Sequence, residues 1–504
     1  MKTSRIWFCS FLIEIKLDKT KKVSYNLLKH DLVNYNLLFL ERINMFIGRK
    51  KELDIMEKCY RQDKFECVVI YGRRRVGKTT LINEFVKDKK TIFFTGLDTN
   101  SQQNLEQFSK SILEMKGISA KTVFSTWEDA LEQIYEMAKK ERIVLVMDEY
   151  PYLANGYPVI SSILSKWIDQ KFLDTKLYMI LCGSSLSFME EQVLGYQSPL
   201  YGRRTTQMKI LPFSFEECKE YYHNFSKTDL AIAYGITGGI PLYMSKLDDG
   251  STIGENIIDN FFNTSSYLFE EPEKLLQQEC REPRQYNAII SAIANGASKL
   301  SEITSKAGFK DTATTSVYMK KLLSLGLIKK EMPYGEKGTK RVIYRISDSM
   351  FQFWYRFVPT NFSLIQQGAG ELVYLKNKQQ INTYMGFVFE DICRQYLWKE
   401  NLSGRLPIQF VNIGRWWGNN PKTKTQEEID LVADDGEGNA ILAECKWRNK
   451  DIDEDEIYTL ANQANIFHYK QCYFILFSKT GFTERCYKLA KEMGNVLLIP
   501  YENM

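Results

Sequence analysis

Val68-Val69-Ile70-Tyr71-Gly72-Arg73-Arg74-Arg75-Val76-Gly77-Lys78-Thr79-Thr80-Leu81-Ile82 is the stretch on which the reading of the chain turns. An apolar, β-branched run enters a Gly-x-x-x-x-Gly-Lys-Thr turn, and a helical pattern, Leu81-Ile82-Asn83-Glu84-Phe85, follows. Strand, glycine-rich loop and helix N-terminus come in the order that cradles phosphates. Backbone N–H groups of Gly72 to Thr80 and the positive end of the helix dipole suit an anionic ligand. Lys78 is expected at the β- and γ-phosphates of a nucleotide and the Thr79 hydroxyl on Mg2+. A glycine turn with stray basic residues is the competing account.

Outward from the loop, Ile143-Val144-Leu145-Val146-Met147-Asp148-Glu149-Tyr150 reads as a buried parallel strand that ends in two carboxylates. Ligands collect at that end of α/β strands. Asp148 is expected to support the Mg2+ shell and Glu149 to polarise a water that attacks the γ-phosphate; a surface turn after a core strand is the alternative. Leu177 to Ser185 is a third apolar strand, with Ser184 and Ser185 as sensor candidates. Arg203, in the loop Tyr201-Gly202-Arg203-Arg204, is a candidate arginine finger acting in trans, although solvated loop arginines are commoner. Gly238-Gly239-Ile240-Pro241 lies between two helical patterns and suits either a lid near an adenine ring or a plain interhelical turn.

Phe46-Ile47-Gly48-Arg49-x-x-Glu52-Leu53, Gly72 to Thr79, Asp148-Glu149, Gly183-Ser184-Ser185, Tyr201-Gly202-Arg203 and Gly238 to Pro241 occur in that order. Together they resemble the archaeal-type P-loop ATPases, which are AAA+-like and related to the STAND signalling NTPases. The resemblance covers residues 45–500. It implies ATP and Mg2+ as cofactors, with Gly48, Arg49 and Pro241 near the base and ribose. A signalling ATPase of STAND type, one of the alternatives, would form a homo-oligomer on ATP binding.

Residues 284–346 read differently. Three helical patterns, the last from Thr312 to Leu325, precede strands at Leu327 to Glu331 and Arg341 to Arg345. Three helices and a two-stranded wing make a winged helix-turn-helix. Lys310 through Arg345 holds nine Lys/Arg against three Asp/Glu, enough to neutralise DNA phosphates, with Thr314, Thr315, Ser316 and Lys320 facing a groove. A purely packing role is the competing account.

In the last part a helix is expected to begin at Gly386 and to carry Glu390. A hairpin then pairs Glu427 to Ala433 with Ile441 to Trp447 about an Asp434-Asp435-Gly436 turn. Glu444 and Lys446 are two apart on a strand, so both leave one face, and Asp430 comes beside them across the hairpin. Carboxylates of Asp430 and Glu444 suit Mg2+, Lys446 suits charge stabilisation, and Glu390 is a further acid. The Asp…Glu-x-Lys pattern resembles the PD-(D/E)xK nuclease fold, which also hosts inactive binding domains. Arg415-Trp416-Trp417 with Glu444-Cys445-Lys446-Trp447 resembles the C-terminal domain that accompanies these ATPases.

The 504 residues exceed one core, and 44% apolar with 26% charged residues are ordinary for a soluble globular chain. The net charge of +5 leaves nucleic-acid affinity to local patches. Ten Cys without a paired metal spacing read as reduced thiols, and three His disfavour a His-rich metal site. No run reaches the length of a membrane span and no cleavage site follows the apolar N-terminus, so a cytoplasmic location without membrane partners is expected. The expected fold class is multidomain α/β. Its parts are an N-terminal extension (1–44, from a misassigned start), a P-loop AAA+-like parallel sheet (45–215), a helical lid (216–283), a winged helix (284–346), a helical linker (347–380) and a restriction-endonuclease-like domain (381–504).

Overall fold

The computed structural model describes residues 46–118, 123–336, 338, 341–420, 422 and 424–504; the expected extension lies outside them. Five strands, β1 (Glu66–Tyr71), β2 (Thr91–Thr95), β3 (Ile143–Asp148), β4 (Leu177–Gly183) and β5 (Thr206–Lys209), form a parallel sheet in the order β2-β3-β4-β1-β5. β1, β3 and β4 are buried along their whole length, so their sequences run apolar without alternation. Helices Ser101–Met115, Trp127–Ala138 and Ile160–Gln170 cover one face through a shared apolar core. Because β3, β4 and β1 are neighbours, the residues that follow them (Glu149, Ser184 and Gly72) emerge side by side.

Helices α1 (Phe215–Tyr221), α2 (Lys227–Thr237), α3 (Ile253–Phe261) and α4 (Tyr267–Glu279) make the lid. α1 and α3 start in capping boxes, Ser214 with Glu217 and Thr252 with Glu255. Gly239, with φ +67°, passes so close to the strap before α1 that a Cβ would lie 2.0 Å from the Phe213 carbonyl oxygen. Only glycine fits there.

α5 (Pro283–Ala294), α6 (Leu300–Lys306) and α7 (Thr312–Ser324) lead into the antiparallel hairpin of β6 (Ile328–Glu331) and β7 (Ile343–Ile346). Thr314 and Lys320 of α7 are exposed, and Ser316 is partly so. Thr315 is not: it is buried, and its hydroxyl accepts a hydrogen bond from Thr304 at 3.0 Å. Its place one turn before Met319 puts it on the core side of α7.

After α8 (Ser349–Phe357), the helix expected to begin at Gly386 begins at Gly370 and runs unbroken to Leu402 as α9, 33 residues. It crosses the expected boundary at residue 380. No proline interrupts it, Gly386 costs only about 1 kcal/mol in a helix interior, and Ile381, Tyr384, Met385, Val388 and Phe389 anchor it on both sides of that glycine. The second sheet holds β8 (Asn412–Asn419), β9 (Gln426–Asp434), β10 (Asn439–Lys446), β11 (Gln471–Ser478) and β12 (Val496–Pro500) in the order β12-β11-β10-β9-β8. β8, β9 and β10 pair antiparallel, and β10, β11 and β12 parallel. α9 shares a core with one face; helices Glu454–Ala464 and Glu484–Met493 pack on the other. Among the described residues no helix is long and apolar enough to cross a membrane.

Candidate active site

β1 ends at Tyr71 and the helix Lys78–Val86 starts after Gly77, whose φ of +87° supplies the left-handed turn into the helix. Lys78 is buried and folds back over the loop, its Nζ donating to the carbonyls of Gly72 and Arg73 at 3.0 Å each. Burial pulls its pKa down, and Cys182, Glu149 and Asp148 nearby oppose that. Thr79 Oγ1 donates to Asp148 Oδ2 at 2.9 Å, so the two side chains expected to share one cation already meet. Glu149 sits in left-handed backbone at φ +48°, and its Oε2 accepts from Ser184 Oγ at 2.8 Å. The structure thus joins Lys78, Thr79, Asp148, Glu149 and Ser184 around one loop.

Arg49 reaches the same loop: its Nη2 donates to the carbonyls of Val76, at 3.1 Å, and Leu211, with the guanidinium 4.8 Å from the Phe213 ring centroid. Gly48 and Arg49 also line a cavity of about 860 Å³ with Phe213, Gly238 and Phe387. Pro241 stands where a Cβ on Gly77 would be 3.8 Å from its ring. Thr80 is exposed on the first turn of the helix. Arg203 lies apart, held two-pronged by Asp169 (Nε to Oδ1 3.0 Å, Nη2 to Oδ2 2.7 Å).

The loop arginines do something the motif did not announce. Arg73 pairs with buried Asp348, which caps α8 by accepting from the Phe351 N–H. Arg74 pairs with Glu279 of α4 at 2.6 Å and donates to the Tyr152 hydroxyl. Arg75, at φ +73°, pairs with fully buried Glu271 of α4, which also accepts from the Tyr243 hydroxyl at 2.8 Å. Three consecutive residues therefore grip three carboxylates from α4 and from the junction between β7 and α8. Asp348 and its partner 275 residues away were not singled out in the sequence.

At the second sheet, Glu390, Asp430, Glu444 and Lys446 do converge. Asp430 Oδ2 accepts from the Cys445 N–H at 2.9 Å. Lys446 Nζ pairs with Glu444 at 2.5 Å and with Glu456 at 3.3 Å. Arg415, aimed by a bulge in β8 between Gly414 and Trp416, pairs with Glu428 and lies 3.9 Å from Glu390. Burial first, then the Asp430 and Glu444 charges, raises the Glu390 pKa to about 8. Burial and Asp430 raise Glu444 to about 7. Of the two carboxylates expected to take Mg2+, Glu444 is paired with Lys446 and Asp430 accepts the Cys445 N–H, and among the described residues no group of three His, Cys, Asp or Glu side chains could hold a metal ion.

A parallel sheet in this order, with the Lys78 loop after β1, Asp148-Glu149 after β3 and a helical lid above, defines an AAA+-like P-loop ATPase of archaeal type, which binds and hydrolyses ATP. Residues 46–247 match the model of an ATPase domain predominantly from Archaea, and residues 354–458 that of archaeal and bacterial proteins of unknown function. The chain belongs to the same family as the protein MJECL04 of Methanocaldococcus jannaschii, to which it is 31% identical over 466 residues, 91% of this chain and 100% of that one. Among solved structures it is similar to the Walker-type ATPase PABY2304 of Pyrococcus abyssi (18% identity, TM-score 0.48, 62% of this chain and 96% of that one). The ORC2 protein of Aeropyrum pernix is a more distant likeness (13% identity, TM-score 0.39, 64% and 94%).

Proposed function

We propose that the chain is an ATP-driven switch, related to the STAND signalling ATPases, whose output is engagement of duplex DNA and whose C-terminal domain binds without cleaving. The observation that supports this is the grip of Arg73, Arg74 and Arg75 on Asp348, Glu279 and Glu271. Phosphate oxygens arriving in the loop compete with those carboxylates for the same guanidinium groups. Nucleotide occupancy is thereby felt at the lid and at the segment after β7.

For hydrolysis, Lys78 leaves the Gly72 and Arg73 carbonyls for the β- and γ-phosphates. Glu149, steadied by Ser184, orients the attacking water. Thr79 and Asp148 are the residues that would hold Mg2+, whose charge offsets that of the phosphates. Gly48, Arg49 and Pro241 border the base and ribose. The output module is residues 284–346, read as a winged helix; Thr314 and Lys320 on the exposed face of α7 suit a groove. The C-terminal part, read as a nuclease-like fold, serves as a docking partner, and ATP-dependent pairing of two copies is part of the same reading.

Duplex binding measured by anisotropy with and without a non-hydrolysable ATP analogue tests it. Tight binding only with the analogue, lost in Lys78→Ala and weakening linearly in log salt, supports the switch. Binding indifferent to nucleotide refutes it. A second reading, Mg2+-dependent phosphodiester hydrolysis, is favoured by the meeting of Glu390, Asp430, Glu444 and Lys446 at one end of β9 and β10. Nicking of supercoiled plasmid that vanishes in Asp430→Ala and Glu444→Ala supports that reading; a plasmid left intact with Mg2+, Mn2+ and ATP removes it.

A further inference from the structure

Arg345 and Asp348 lie three residues apart where β7 leaves the hairpin, and they answer to two different sites. Asp348 receives Arg73 of the phosphate loop. Arg345 lies over the Phe387 ring of α9, 5.3 Å from its centroid, one turn before Glu390. Tyr334, three residues past β6, is docked as well. The Tyr334 N–H donates to the Arg415 carbonyl at 2.8 Å and its hydroxyl to Asp434 Oδ2 at 2.5 Å. Gly414 leaves the ring its space: a Cβ there would be 3.0 Å from Tyr334 Cδ2. β8 is the edge of its sheet, so the hairpin covers backbone that would otherwise stand unpaired. A hairpin held in this way cannot enter a DNA groove, although its strand residues Lys329 and Lys330 are exposed and α7 beside it offers Thr314 and Lys320.

We infer that ATP in the phosphate loop undocks the β6–β7 hairpin from β8 and so admits it to duplex DNA; this rests on the ATP-switch reading and supplies its moving part. The γ-phosphate draws Arg73 from Asp348. A buried carboxylate that loses its counter-ion is unstable in place, and the Ile346 to Ser349 segment shifts to hydrate it. The hairpin, which ends at Ile346 two residues before Asp348, moves with that segment. Its hold on β8 through Tyr334 is the hydrogen bonds to Arg415, Asp434 and Asn412 and the packing of the ring against Gly414, a small barrier beside the loss of an ion pair.

The Tyr334 geometry allows a lock. A Cβ on Gly414 would be 3.7 Å from Tyr334 Cβ, within the spacing of a disulfide. Full-length Tyr334→Cys/Gly414→Cys is assayed oxidised and reduced with a short fluorescein-labelled duplex, with wild type treated identically because the chain has cysteines of its own. The oxidised form is expected to bind duplex about tenfold more weakly in the presence of the ATP analogue, to bind a fluorescent ATP analogue more weakly as well because the coupling is reciprocal, and to recover both on reduction. Asp348→Asn keeps the cap on the Phe351 N–H and loses the charge that holds Arg73; duplex binding without nucleotide is expected. The rate of disulfide closure reads undocking without DNA, and the ATP analogue is expected to slow it about fivefold. A closure rate indifferent to nucleotide overturns the inference, as does a locked form that binds duplex as tightly as the reduced one. Slowed closure with no duplex binding by wild type would instead refute the DNA output while leaving the moving part in place.

Discussion

Ser184 Oγ donates to Glu149 Oε2 at 2.8 Å, from the end of the neighbouring strand β4. Glu149 is in left-handed backbone, so its carboxylate is aimed by its fixed main chain and by that one hydroxyl. Ser184→Ala removes the second restraint without touching charge. ATPase kcat is expected to fall about tenfold with KM little changed, because orientation matters only in the transition state. Glu149→Gln is expected to cost about 10²- to 10⁴-fold. Steady-state phosphate release over an ATP titration checks both.

Arg75 and Glu271 form a pair whose acid is fully buried. Arg75→Ala leaves that carboxylate without its cation and is expected to destabilise the chain by about 3–5 kcal/mol. Arg75→Ala/Glu271→Gln is expected to recover much of the loss. Urea midpoints for the three proteins decide the matter, with the double variant more stable than Arg75→Ala.

Glu390 has a folded-state pKa raised from 4.5 to about 8. The folded chain therefore holds its proton more tightly than the unfolded chain. Its contribution favours folding below pH 4.5 and is lost as pH rises through about 8. Glu390→Gln keeps the neutral form at every pH. The variant is expected to melt about 2–6 °C above wild type at pH 9, with the gap closing toward pH 5. Melting curves across that range check the sign.

Gly239 is the tightest crossing between lid and strap, where the Phe213 N–H donates to the Gly239 carbonyl at 2.7 Å. Gly239→Ala sets a methyl against the Phe213 carbonyl and forces left-handed backbone on an alanine. A loss of about 2–4 kcal/mol is expected, with Gly202→Ala, which has open space around it, as the comparison for a left-handed glycine without a clash. Thermal melts of the two separate strain from collision.

The ATP site was legible because its signals are local. Gly72 to Thr79 is a turn whose geometry demands those residues in that order, and Asp148 and Ser184 end apolar runs that can only be buried strands. Asp430, Glu444 and Lys446 were legible for the same reason, since strand periodicity and one hairpin bring them together. The partners of Arg73, Arg74 and Arg75 were not, because an ion pair across hundreds of residues leaves no period in the chain. The pairing of Lys446 with Glu444 and of Arg415 with Glu428 was equally hidden: the residue types fit a cation site, and only the distances show which of them meet. The reach of α9 was misjudged because Gly386 looked like a beginning, where burial on both sides of it carries the helix through.

α9 spans about 50 Å at 1.5 Å per residue. Near its start, Gly370 packs against Phe262 at the end of α3 in the lid. Midway, the Tyr384 hydroxyl donates to the Gly235 carbonyl of α2 at 2.7 Å and to that of Ser349 at 3.1 Å. Its C-terminal half carries Phe389 and Ile392 into the core of the second sheet. A gene cut near codon 380 would therefore divide a single rod and leave each product with an open apolar seam. Swapping C-terminal halves between relatives would demand a matched rod as well as a matched sheet.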